Sequence, residues 1–157
     1  MIKLNEESNN DNKKFCNLNG FLKEKKPKKI EFIIAIIANI IFLYIVNNLM
    51  AWNISFIADS LSDILWILNI SIIANILANI IYLIYYSEWL RAVLQIILNI
   101  LGFWVAYSLY VVFPFNFSNL LYDYAVVFAL IVAMIALVIA SVVEVARLIL
   151  KFVNVEK

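Results

Sequence analysis

Leu61 to Tyr86, LSDILWILNISIIANILANIIYLIYY, is the stretch that leaves this chain the fewest choices, because nothing charged lies beyond Asp63 in it. At about 1.5 Å per residue a helix of that length measures roughly 39 Å, more than the ~30 Å hydrocarbon core of a bilayer. Placed at about 100° per residue, Ser71, Asn75, Asn79, Tyr82 and Tyr86 fall on one face while Ile and Leu cover most of the rest. The stretch therefore reads as a membrane-crossing helix whose polar stripe looks towards other protein.

The rest of the chain agrees with that class. Hydrophobic residues make up 66% and charged residues 15%, with a mean hydropathy of +0.95. Soluble domains run at roughly 45–50% apolar, so a water-soluble core does not account for this chain. Its 157 residues make one domain, with no shift in composition to mark a second. Cys16 is the only cysteine and there is no histidine, which excludes an internal disulfide, Cys/His metal sites and histidine-based catalysis. No nucleophile–base pair and no phosphate-binding glycine loop is present. Accordingly no catalytic, cofactor-binding or metal-ligating residue is expected, an enzyme is not the expected class, and no nucleic-acid partner is expected.

Charge is distributed unevenly. Eight of the twelve basic residues precede Ile30, and the others are Arg91, Arg147, Lys151 and Lys157. Residues 1–29 are rich in Asn, Lys and Glu, which predicts a poorly ordered basic segment. The spacing of Phe15, Leu18, Phe21 and Leu22 permits a short amphipathic turn on a membrane surface. The run from Lys23 to Lys29 abuts the first apolar segment and reads as a topology signal, compatible with attraction to anionic lipid at ~1 kcal/mol per basic residue. A cleavable signal peptide is not expected, because the segment before the apolar stretch is too long.

Four apolar segments follow, predicting helices at about 30–51, 60–86, 88–113 and 119–151 within a transmembrane domain of residues 30–152. Trp52 suits a membrane–water interface at the end of the first. Ile54, Ile57, Leu61 and Ile64 have helical spacing, so the first connection is expected to lie along that interface. Ser60 and Asp63 match a capping box at the second start, Ser87 is placed to cap the third helix, and Ser118 or Asn119 the fourth. Pro114 removes a backbone donor and should stop the third helix. The first and third connections hold no Lys or Arg, whereas the N-terminus, the second connection and the C-terminus hold all twelve. By the positive-inside rule both termini are cytoplasmic. The expected fold class is thus an all-α integral membrane four-helix bundle in a prokaryotic cell membrane, with cytoplasmic termini.

The remaining polar residues form stripes. Gln95, Asn99, Gly102 and Ala106 share a face of the third helix, and Ala125, Ala129, Ala133, Ala136, Ala140, Glu144 and Arg147 share one on the fourth. Small residues let membrane helices approach closely, and Asn or Gln side chains bond across interfaces at ~0.6–2 kcal/mol each. This predicts the alanine stripe packed against the polar stripes, with Ser71, Asn75, Asn79, Gln95 and Asn99 holding the bundle together. The sharper alternative is a hydrated path or polar pocket lined by Asn39, Asn75, Asn79, Gln95 and Asn99. Glu144 and Arg147, three residues apart, are expected to form an intramembrane ion pair. Ala38–Leu43 echoes Ala78–Leu83 at an offset of 40, an echo that an Ile/Asn-rich chain produces by chance; a true duplication would bring Asn39 and Asn79 together.

The run LNISIIANILANIIYLIYY, the segment LQIILNILGF, the loop VFPFNFSNL and the ending VVEVARLI, in that order, resemble a group of small prokaryotic multi-pass membrane proteins of unknown function. The resemblance covers about residues 30 to 150 and implies no activity and no functional residues. The function expected is that of a membrane-embedded accessory, scaffold or sensor module, its partners being the lipid bilayer and other membrane proteins or a second copy. The alternative is a small oligomeric transporter or channel with an Asn/Gln-lined path.

Overall fold

The computed structural model describes residues 28–155, with side chains through residue 150. The expectations for the N-terminal segment, Cys16 included, fall outside the described residues. Four helices follow in order: α1 (Lys29–Asn48), α2 (Leu61–Ile84), α3 (Glu88–Val112) and α4 (Leu120–Val155). Among the described residues there is no strand, only one isolated bridge between loops. All four helices are long and apolar enough to cross a membrane.

The ends of the helices follow from local chemistry, though not always from the expected side chain. Asn119 caps α4, its Oδ1 accepting the Leu121 N–H at 3.0 Å. Ser60 and Ser87 stand at the starts of α2 and α3, but neither hydroxyl makes a cap bond. Ser62 Oγ instead donates to the Asp59 carbonyl at 2.8 Å, which ties the first turn of α2 to its own approach. Pro114 ends α3 as anticipated, and it is fully buried. The residue before it, Phe113, closes the helix with φ 40° and ψ 69°, a left-handed conformation that a bulky side chain adopts only under constraint.

Successive helices run antiparallel. In α1 and α2, Phe32 lies against Tyr82 while Asn47 bonds Asn69. In α2 and α3, Tyr82 bonds Arg91 while Trp66 meets Trp104 edge-on at 6.0 Å. Each helix packs on its neighbours in sequence, α3 with α4, α1 with α2 and α2 with α3. The largest core cluster gathers Val46, Leu61, Ile64, Ile67, Leu68 and Ile72, backed by Val105, Leu109 and Val112, so it joins α1, α2 and α3. A smaller one, Phe32, Ala78 and Tyr82, sits nearer the end that carries Lys28, Lys29, Arg91 and Arg147. We call that end the basic end.

α4 packs differently from the expected arrangement. Leu130, Met134, Leu137 and Ser141 are half-buried, whereas Ala125, Ala129, Ala133 and Ala136 of the alanine stripe are exposed; Ala140, Glu144 and Arg147, the last members of that stripe, are half-buried. Over residues 125–137 the contact face is therefore turned by roughly a quarter of a circle from the alanine stripe. The physical reason is volume: the branched and long side chains fill the groove beside α3, and Leu137 lies 3.4 Å from where a Cβ on Gly102 would sit.

The two loops at the other end meet. The first connection is a series of turns rather than an interfacial helix, and Ile57 pairs with Phe115 in an antiparallel bridge. Ala58 N–H donates to the Pro114 carbonyl at 3.0 Å, and Asn116 N–H to the Phe56 carbonyl at 2.9 Å. Phe56, Phe117 and Phe115 stack in sequence at 5.6 and 5.8 Å. Hydrogen bonding thus takes up backbone groups that the two loops would otherwise leave unpaired.

Candidate functional site

The polar residues singled out by spacing have three different fates. On α2, Asn75 Nδ2 donates to the Ser71 carbonyl at 2.9 Å and Asn79 Nδ2 to the Asn75 carbonyl at 2.7 Å. Asn39 on α1 does the same with the Ala35 carbonyl at 2.8 Å. These amides close on their own helix, one turn back, and only the tyrosines at the end of the α2 stripe, Tyr82 and Tyr86, bond to another helix, through Arg91 of α3. Asn39 and Asn79 each bond a carbonyl of their own helix and not one another.

On α3, Gln95 Nε2 donates to Asn99 Oδ1 at 3.3 Å. Asn99 is the one buried polar residue among the described positions, and its Nδ2 has no hydrogen-bond partner. Gln95, Asn99, Gly102 and Ala106 share a face, and Gly102 on that face touches Leu137 of α4. The antiparallel register then sets Asn99 level with Ser141 and Gln95 level with Glu144. Ser141 Oγ donates to the Leu137 carbonyl at 2.9 Å and retains its lone pairs.

The third group lies at the basic end, where sequence spacing had identified only the pair on α4. Arg147 Nη1 meets Glu144 Oε1 at 2.7 Å, with side-chain exposures of 23% and 15%. Around the pair gather residues from the other helices. Tyr82 hydroxyl donates to the Arg91 carbonyl at 3.3 Å, and Arg91 Nη1 donates to the Tyr86 hydroxyl at 3.3 Å. Phe32 of α1 contacts both tyrosine rings, at 5.4 and 6.0 Å. One end of α1, α2 and α3 is thereby joined through an aromatic and charged node, with the Glu144–Arg147 pair of α4 at the same end. Its charged members, Arg91, Glu144 and Arg147 with Glu88 at the start of α3, are balanced in sign. A balanced node favours cohesion over attraction of an ion.

One interhelical polar contact had been missed. Asn47 Nδ2 donates to Asn69 Oδ1 at 2.8 Å and Asn69 Nδ2 returns a bond to Asn47 Oδ1 at 3.0 Å. Asn47 also donates to the Leu43 carbonyl at 2.8 Å, so both of its N–H groups are used. Spacing along the chain gave no signal for it, because Asn47 stands next to the end of α1 at Asn48 whereas Asn69 lies about two turns beyond the start of α2 at Leu61. Among the described residues no group of three or more potential metal ligands occurs. Comparison with protein-family models, curated proteins and solved structures finds no match.

Proposed function

We propose that this chain is a multi-pass integral membrane protein of a prokaryotic cytoplasmic membrane, with both termini cytoplasmic, acting as an accessory, scaffold or sensor module through lateral contact with other membrane proteins. The observation that supports this reading is α4. No residue from 120 to 150 is buried, although this is the most apolar of the four helices and packs on one neighbour only. A helix attached by one face presents the others to lipid or to a partner, and its exposed alanines allow close approach of a second helix. The distribution of Lys and Arg supports the orientation.

The test is photo-cross-linking in the native membrane from probes at Ala129, Ala133 and Ala136. A discrete adduct with one other membrane protein is expected from these positions and not from Met134. A homo-oligomer with measurable solute flux in reconstituted vesicles would instead establish the transporter reading. Orientation is tested on Cys16, which should react with a membrane-impermeant maleimide only after lysis. Strong labelling of intact cells reverses the topology.

A further inference from the structure

The seam between α3 and α4 contains a polar group that its protein neighbours do not satisfy. Asn99 is 5% exposed, its Oδ1 accepts from Gln95, and its Nδ2 is buried without a partner. Turning the amide end for end only exchanges an orphan donor for an orphan acceptor. An amide N–H held away from water without a partner is costly, and more so where the surroundings are hydrocarbon. The other carboxamides do not help, since Asn75 and Asn79 are committed to their own backbone.

The surroundings of Asn99 are small and partly polar. Ala92 and Ala106 are the other buried residues of α3, and Gly102 lies between Asn99 and Ala106. On the facing helix Ser141 is level with Asn99 and offers acceptor lone pairs. Polarity continues in one direction only: Gln95 and then the Glu144–Arg147 pair lead to the basic end, while Leu137 against Gly102 closes the other. We infer that Asn99 is the blind end of a polar crevice in the α3–α4 seam and binds a water molecule there, reached from the basic end past Gln95 and Glu144. A bound water needs two to four polar partners, and Asn99, Gln95 and Ser141 supply them. The crevice is distinct from a through-path, because Leu137 meets Gly102 directly beyond Asn99.

The experiment is solid-state NMR of the full chain in lipid bilayers, with side-chain amides labelled with nitrogen-15 and magnetisation transferred from water. Transfer to the Asn99 amide should build up several-fold faster than transfer to Asn75 or Asn79, whose N–H groups face their own helix. Equal or slower build-up at Asn99 overturns the proposal, and this measurement on the unaltered chain depends on no variant folding. Gln95→Leu then tests the route: it should slow the build-up at Asn99 several-fold, and an unchanged build-up overturns entry past Gln95.

Discussion

The polar stripes of α2 and α3 are made of the same side chains and come to opposite ends. On α2 the stripe carboxamides of Asn75 and Asn79 each find a carbonyl four residues back, so a row that looks like a lining is self-contained. On α3 the Gln95 and Asn99 amides find each other, and one donor remains for something outside the chain. In a membrane helix a polar side chain becomes an interaction point only when its own backbone does not capture it first. Spacing identifies candidates of both kinds; bonding separates them.

The largest effect is expected at the charged mouth of the α3–α4 seam. Glu144→Gln and Arg147→Gln should each lower thermal stability in detergent by up to about 3 kcal/mol, because each leaves a poorly solvated charge without its 2.7 Å partner. The double substitution should recover most of the loss. Damage equal to the sum of the singles would show that the two act independently.

A smaller effect belongs to the reciprocal pair between α1 and α2. A double-mutant cycle on Asn47→Leu and Asn69→Leu should give a coupling of about 0.6–1.7 kcal/mol, the range for membrane interhelical hydrogen bonds. A coupling near zero would place the two amides with their own helices, like those of Asn75 and Asn79, and the contrast would lose its clearest interhelical case. The smallest effect is expected on the α2 stripe itself. Asn75→Leu with Asn79→Leu should change stability by less than about 0.5 kcal/mol, as for substitutions that remove no tertiary contact. A clear drop in melting temperature would mean that the stripe reaches another helix and that the two stripes are alike.

Helix number and approximate ends were legible because they depend on strong local terms: apolar runs too long to be one span, Pro114 without a donor, and Asn119 with an acceptor at a helix start. The Glu144–Arg147 pair was legible for the same reason, being local to one helix. The rotation of α4 was not. Its faces are nearly all apolar, so periodicity does not distinguish the side facing protein from the side facing lipid, and the alanines suggested the wrong one. The Ile57–Phe115 bridge and the Tyr82–Arg91–Tyr86 node were hidden because they join residues brought together only by the packed hairpins.

The pairing of the two loops has a mechanical consequence. α2 and α3 are tied covalently at the basic end by Tyr85, Tyr86 and Ser87, and at the opposite end by the backbone bonds between residues 56–58 and 114–116. Those two helices form a closed frame, laced top and bottom, with the constrained Phe113 at one corner. α1 and α4 each join that frame covalently only at the corner where the loops meet. They are outriggers, pivoted at one end, and any splaying of the assembly falls at the other, where Phe32 is held to the frame by its ring contacts with Tyr82 and Tyr86.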